Sequence, residues 1–364
     1  MEKFDFYKQY KNKKVLVTGH TGFKGSWLTL WLKLLGAKVT GLSLDVPTKP
    51  SHFEAVKLKN KINHKKKDIR NLKELKKFIK KYQPDYVFHL AAQAIVKKSY
   101  TDPVRTWGTN TMGTINILES LREIKKNCAV VIITSDKSYK NLEIKRGYRE
   151  NDILGGHDPY SASKASAELA IQSYVNSFFP IKKTKVFISI ARAGNVIGGG
   201  DWSENRLIPD CVKSWSKNKK ALIRNPKSTR PWQHVLEAIS GYLLLGLNLK
   251  KNKKLHGEAF NFGPNNNKNY NVIFLVKLIQ KHWSKVSWKL FNKKRKSFYE
   301  SSLLKLNSNK AKQQLEWKCV LSFSETIKMV ADWYKNYYLK TKKMYEFSLN
   351  QIKDYEKLLK KRLI

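Results

Sequence analysis

The sequence predicts an α/β protein: a doubly wound parallel sheet with a smaller lobe in the second half of the chain. Three observations carry the prediction. Short apolar runs bounded by turn residues alternate with amphipathic helical patterns from Val15 to Ile190, the pattern of strand–helix–strand crossovers. The first run, Val15-Leu16-Val17, opens into Gly19, Gly22 and Gly25 and then a helical pattern through Leu30, Trp31 and Leu34. Beyond Gly200 the alternation weakens into loops carrying Trp202, Arg206, Pro209, Arg224, Arg230, Pro231 and Trp232.

The glycine stretch sets the register of everything after it. Glycines permit a tight turn, let backbone N–H groups approach a pyrophosphate and let helix and strand pack closely. The N-terminus of the following helix faces the anion. The spacing is G-x-x-G-x-x-G rather than G-x-G-x-x-G, so its place between a strand and a helix is what marks it as a Rossmann-type nucleotide loop. Lys38 to Leu44 reads as the second strand and ends at Asp45, 20 residues beyond Gly25. An acidic residue there accepts hydrogen bonds from ribose hydroxyls and repels a 2′-phosphate, which predicts NAD rather than NADP.

A short third strand precedes Asp68-Ile69, and Leu72 to Lys81 is a polar helix. Asp85 to Leu90 is the fourth strand, running into Ala91-Ala92-Gln93, where small residues leave room for a cofactor. Asn110 to Arg122 reads as a helix with Asn110 near its start. Ala129 to Thr134 is a buried strand with Ser135-Asp136-Lys137 at its carboxyl end, the end at which open α/β sheets bind ligands. Asp158-Pro159 introduces a helix from Tyr160 to Val175, and a strand from Val186 to Ile190 leads into Arg192, Asn195 and Gly198-Gly199-Gly200.

Val235 to Leu249 and Ala259 to Gly263 return as helix and strand, and helices follow around Val272–His282 and Ser324–Tyr337. The expected organisation is a nucleotide-binding domain over 1–195, rejoined at 233–262. A substrate lobe comprises 196–232 and 263–340, and a basic, weakly patterned tail covers 341–364.

Composition narrows the function. A hydrophobic content of 41% in 364 residues is that of a globular protein with a large core. No apolar run reaches the length of a membrane span, and the N-terminus lacks an apolar signal segment. Three scattered cysteines, Cys128, Cys211 and Cys319, suggest a reducing, cytoplasmic compartment and no metal cluster. His20, His89 and His234 lack metal-ligand spacing and read as loop or packing residues. The formal net charge of +44 raises the question of nucleic acid or an anionic membrane. The lysines are spread along the whole chain without a nucleic-acid motif, so solvated faces explain them, and the residual positive field suits a phosphorylated substrate.

The chemistry rests on Tyr160-Ser161-Ala162-Ser163-Lys164. Tyrosine and lysine four residues apart share one helix face. A nearby ammonium favours phenolate, and a phenol so tuned accepts a proton from a sugar hydroxyl while hydride leaves the same carbon.

With the glycine loop and Tyr160-x-x-x-Lys164 both in place, the chain resembles the extended short-chain dehydrogenase/reductases from about Lys13 to about Tyr337. Three segments, Thr18–Leu28, Thr134–Asn141 and Arg230–Glu237, resemble the CDP-glucose branch of the sugar-nucleotide 4,6-dehydratases. Where the wider group has Thr-Asp-Glu, this chain has Ser135-Asp136-Lys137.

The resemblance implies that Tyr160, helped by Lys164, deprotonates the sugar C4 hydroxyl, and that Ser135 bonds near O4. Asp136 protonates the leaving C6 hydroxyl, and Lys137 stands where a C5 base belongs. It implies NAD held by Gly19, Thr21, Gly22, Phe23, Lys24, Gly25, Asp45, Asp68, Ile69, Leu90, Ala91, Ala92 and Asn110 together with Tyr160 and Lys164. It places the nucleotide sugar on Gln93, Asn195, Arg206 and Arg230, in a region that also includes Arg192. It further implies a homodimer formed through the helices that start near Asn110 and Tyr160. The alternatives are a 4-epimerase or another nucleotide-sugar dehydratase of the same fold and, from a different class, a basic nucleic-acid or membrane-binding protein on this scaffold.

Overall fold

The computed structural model describes residues 5–264, 270–291 and 303–363. Its centre is a seven-stranded parallel sheet. The strands are β1 (Lys14–Thr18), β2 (Lys38–Ser43), β3 (Asn63–Lys66), β4 (Tyr86–His89), β5 (Cys128–Ile133), β6 (Val186–Ala193) and β7 (Ala259–Phe262). In space they run β3-β2-β1-β4-β5-β6-β7. Val15 on β1 pairs with Val39 of β2 on one side and Tyr86 of β4 on the other. The strand order therefore reverses at β1, and the crevice between the carboxyl ends of β1 and β4 is the switch point at which such sheets hold ligands.

The apolar runs are continuous because both faces of the sheet are covered. Successive side chains point to opposite faces, so Val15 and Val17 enter one core while Leu16 enters the other. The first core is closed by α1 (Phe23–Leu34) and α6 (Val235–Lys251), the second by α2 (Leu72–Tyr82), α3 (Gly113–Leu121) and α4 (Pro159–Phe178). Capping residues fix several starts: Asn71 accepts from Glu74 N–H, and Asp158 accepts from Ser161 N–H with Pro159 in the first turn of α4.

The smaller lobe gathers α5 (Leu207–Trp215), α7 (Val272–Gln280) and α8 (Phe323–Leu339). Short strand pairs join Ala221–Ile223 to Trp288–Leu290 and Thr229–Arg230 to Tyr270–Asn271. The chain rejoins the sheet through α6 and β7, and β7 lies beside β6.

The basic last segment is a packed helix, α9 (Met344–Leu363). Leu349, Ile352, Tyr355 and Leu359 lie on one buried stripe of it, and the lysines that make the segment look like a tail occupy the other face. Each such buried side chain contributes about 1.5–3 kcal/mol. The Tyr355 hydroxyl donates to Glu237 Oε2 at 2.6 Å, and Trp31 Nε1–H donates to Glu356 Oε1 at 2.8 Å. One expectation is corrected: Asn110 does not open a helix. Helix begins at Pro103, passes through a π turn over Gly108–Met112 and continues as α3.

Candidate active site

The glycine loop is a close-packed corner. Gly19 has φ +74°, and a Cβ there would stand 2.6 Å from the Ala91 nitrogen. A Cβ on Gly25 would stand 2.1 Å from the Gly19 carbonyl oxygen. These two glycines are demanded by the crossing of β1, β4 and α1. Gly22 differs, because its nearest neighbour would be the Gly19 oxygen at 3.3 Å, and its outer side is open. The loop is anchored to β2 by Thr21, whose N–H donates to Ser43 Oγ and whose hydroxyl donates to the Asp45 carbonyl at 2.7 Å. His20 points inward between Ser43 and His64, at 2.9 and 2.7 Å. Burial holds its pKa down at about 4, so it is a neutral strut, as its spacing suggested.

The residues expected to carry a dinucleotide lie in order along this crevice. Asp45 stands exposed at the end of β2, paired with Lys66 at 2.9 Å. Asp68 is gripped by Arg70 at 2.6 Å, which pulls its pKa below the usual carboxylate range. Ile69 packs where Gly113 has no side chain. Leu90, Ala91 and Ala92 form a half-buried floor, and Phe23 approaches Gly198.

Ser135, Asp136 and Lys137 lie in a tight turn after β5. Ser135 donates to Asp136 Oδ1 at 2.9 Å and accepts from Lys137 N–H at 3.2 Å. The other carboxylate oxygen occupies the space above Gly194, where a Cβ would be 1.9 Å from Oδ2. Gly194 is a required seat for Asp136, and its place just after β6 is the signal that sequence reading passed over. Tyr160 and Lys164 rise from the first turns of α4, 8% and 7% exposed. The Tyr160 hydroxyl interacts with Ser135, Asp136 and Arg206. Ser135, Asp136 and Tyr160 are thus brought together, with Lys164 one turn further along α4.

The electrostatics differ from expectation in one respect. Burial pushes the Tyr160 phenol up from its ordinary value, opposed by Ser135 and Arg206, and Lys164 is not among the groups that act on it. Lys164 is held down at about 8 by burial and by Lys24. Lys24 is held down to about 8 by burial and by Arg206, against the pull of Asp136. Lys24, expected among the cofactor-loop residues, therefore presents its ammonium to the catalytic cluster. Arg206 reaches the same place, tethered to Asp201 at 3.0 Å. Lys164, Lys24 and Arg206 thus form a run of neighbouring cations, with Lys24 acting on the buried Asp136, a site suited to a bound diphosphate.

Other expected residues have different work. Arg192 is not on a phosphate surface: it is 1% exposed and paired with a fully buried Glu168 at 2.5 Å. Tyr139 Oη and the Glu150 carbonyl accept from its remaining N–H groups, and Thr134 donates to Glu168 at 2.6 Å. Asn110 and Gln93 turn their side chains into the scaffold. Asn110 bonds the Gln93 backbone and Ser163 Oγ, while the Gln93 amide bonds Ile95 and Thr106. Both therefore shape the strand-end loop rather than face the crevice.

Asn195 adopts φ +47° and its carbonyl accepts from Gln233 N–H. Arg230 lies half-buried on the lobe strand that pairs with Tyr270. Lys137 is half-buried, and among the described residues no carboxylate pairs with it. Among the described residues no group of His, Cys, Asp or Glu is placed to hold a metal ion, and no helix is long and apolar enough to cross a membrane.

Comparison with known proteins agrees with this geometry. The chain is 43% identical over 350 residues to the CDP-glucose 4,6-dehydratase of Salmonella typhimurium, covering 95% of this chain and 97% of that protein. It is 28% identical to the CDP-paratose 2-epimerase of Salmonella typhi, over 73% of this chain and 83% of the relative. An epimerase from Methanothermobacter thermautotrophicus superposes with a TM-score of 0.78 at 25% identity, covering 93% of this chain and 97% of the other. A dTDP-glucose 4,6-dehydratase from Bacillus anthracis, solved with NAD, superposes at 0.71 and 21% identity, covering 89% and 97%. The sequence profile of the GDP-mannose 4,6 dehydratase family matches residues 16–330, and with the crevice, the glycine corner and the Tyr160–Ser135–Asp136 cluster in one place, the chain belongs to that family.

Proposed function

We propose that this chain is a CDP-glucose 4,6-dehydratase that uses NAD and converts CDP-glucose to CDP-4-keto-6-deoxyglucose with loss of water, in deoxysugar synthesis. The observation that carries the reading is the Ser135-Asp136-Lys137 turn set against Tyr160, in a chain so similar to the Salmonella enzyme over nearly its full length. A 4-epimerase needs the tyrosine and lysine but has no use for an acid beside them.

The fit to the dinucleotide rests on Gly22, whose outer side is open at a helix N-terminus, and on Asp45, exposed at the end of β2. When bound, NAD supplies an acceptor for the C4 hydride and returns the same hydride to C6. Tyr160 removes the C4 hydroxyl proton, and Ser135 holds O4. Arg206 supplies positive charge that favours the phenolate, and Lys164, four residues along the same helix, is the lysine of the pair. Asp136 protonates the departing C6 hydroxyl, and Lys137 removes the C5 proton made acidic by the C4 ketone. Arg206 and Lys24 hold the sugar diphosphate, with Arg230 and Asn195 on the lobe side.

The enzyme is read as a cytoplasmic homodimer. Val104, Trp107, Met112, Leu169 and Phe178 leave apolar surface exposed on the helical stretch 103–121 and on α4, which pack side by side. Such a patch fits a four-helix interface with a second copy.

The test is incubation with CDP-, dTDP-, GDP- and UDP-glucose and mass detection. CDP-glucose alone is expected to yield a product lighter by one water. Preference for another nucleotide would revise the substrate, and an isomer of unchanged mass would favour the epimerase.

A further inference from the structure

One buried polar group near the site has no assigned work. Tyr242, on α6, is 0% exposed, and its hydroxyl has no hydrogen-bond partner among the described residues. Its ring meets Phe262 edge-on, with centroids 5.8 Å apart. The groups that interact electrostatically with it are Asp136 and Tyr160. A buried hydroxyl without a partner costs about 1–3 kcal/mol, and a phenylalanine would fill the same space without that cost. The hydroxyl therefore calls for a reason.

Asp136 supplies the other half of the argument. Its Oδ1 accepts from Ser135, while Oδ2 lies over Gly194 with no donor among the described residues. Gly194 and Phe262 are tied together by the Gln233 amide, which donates to both their carbonyls, at 3.3 and 2.7 Å. Asp136, Gly194, Phe262 and Tyr242 are thus contiguous beneath the strand ends.

The reaction asks something specific of this carboxyl. In each turnover the C4 hydroxyl proton leaves to Tyr160, the C4 hydride moves to C6, and the C6 hydroxyl departs with a proton from Asp136 as water. The C5 proton is removed and replaced. Asp136 ends each turnover ionised and must be reprotonated. The charged groups facing it are Lys24 and, through Tyr160, Arg206, and a cation beside a carboxyl opposes the acid form.

We propose that Tyr242 is a positioning residue for Asp136. Its hydroxyl, directly or through one buried water, donates to Oδ2 in both states of Asp136, so that the acid form carries its proton on Oδ1, toward the departing hydroxyl. This holds the carboxyl over Gly194, aimed at the departing hydroxyl. The inference rests on the dehydratase reading, and it assigns to α6 a share in the water-loss step alone.

The test is Tyr242→Phe, which keeps the ring and its contact with Phe262 and removes one oxygen. Wild-type protein is first given CDP-glucose; absence of a dehydrated product withdraws the dehydratase reading, and this proposal with it. In the variant, folding is expected to be retained, with a melting temperature at or above that of the wild type. The rate of water loss falls about tenfold, the scale of one hydrogen bond to a charged group. The acid–base profile of kcat shifts, and bound NADH accumulates during turnover because removal of the C4 hydride is unaffected. In an Asp136→Asn background, adding Tyr242→Phe has no further effect. An unchanged rate and pH profile, equal slowing of hydride removal and water loss, or loss of folding would each overturn the proposal.

Discussion

Two clusters of buried charge sit at the carboxyl ends of the same strands, and they are built in opposite ways. Behind β5 and β6, Arg192 and Glu168 close on each other, with Thr134, Tyr139 and the Glu150 carbonyl taking up the remaining hydrogen bonds. In front, Lys24 acts on Asp136 and Lys164 stands beside Lys24, neither ammonium makes an ion pair among the described residues, and Arg206 keeps only Asp201. A satisfied pair resists change, because removing one partner strands the other in a medium that penalises charge. An unsatisfied set is costly when empty and favourable when an anion arrives. The first is structure and the second is suited to an anion. This is why Arg192, which the sequence places in the diphosphate region, is instead part of the frame.

The comparison can be broken by removing one group at a time. Tyr160→Phe should give the largest effect: a folded protein that still binds NAD, with turnover down about 10²–10⁴-fold, the usual worth of a general base. Near-normal turnover would make the Tyr160–Lys164 pair structural. Glu168→Ala should cost about 3–5 kcal/mol in denaturant unfolding, whereas Lys164→Met should cost little stability while abolishing activity. Equal destabilisation by both would erase the distinction between the clusters. Lys137→Ala should pass hydride but stall before water loss, lowering dehydration about 10²-fold or more. Substrate deuterated at C5 should keep its label in that variant, and normal dehydration by it would assign the base elsewhere.

Much of this was legible in the sequence, for reasons that can be stated. Strands buried on both faces leave unbroken apolar runs, so Val15-Leu16-Val17 and Cys128–Ile133 announce themselves. The Tyr160–Lys164 pair needs only a helix to bring it together, and Ser135–Asp136 needs only a strand end. What stayed hidden depends on contacts distant in sequence. Glu168, which claims Arg192, lies on another element. Gly194 seats Asp136 only once β5 and β6 are adjacent. Asn110 reads as a site residue until its amide is seen holding Gln93 and Ser163. In α9 the apolar stripe of Leu349, Ile352, Tyr355 and Leu359 is masked by lysines on the opposite face.

Two smaller effects sharpen the contrast. Gly22→Val should leave stability nearly unchanged and weaken NAD at least about tenfold, equivalent to about 1.4 kcal/mol. The same change at Gly25 should instead disrupt folding, because its Cβ meets backbone. Loss of folding by Gly22→Val would show that position to be scaffold.

The smallest effect is in pH dependence. Lys24 and Lys164 have folded pKa values near 8, below about 10.4 in the unfolded chain. Between those values the unfolded state holds more protons, so ligand-free stability should rise with pH from about 8 towards 10. Comparison with Lys24→Met isolates that contribution, and a wild-type slope no steeper than the variant's would contradict it.

The central claim is that one site removes the C4 hydrogen and returns it to C6 without releasing it. CDP-glucose carrying deuterium at C4, turned over by enzyme loaded with unlabelled NAD, tests this directly. The account predicts a 4-keto-6-deoxy product with the deuterium at C6 and none in free cofactor. Deuterium lost to solvent or carried away on released NADH, or a product that keeps its C6 hydroxyl, would contradict it.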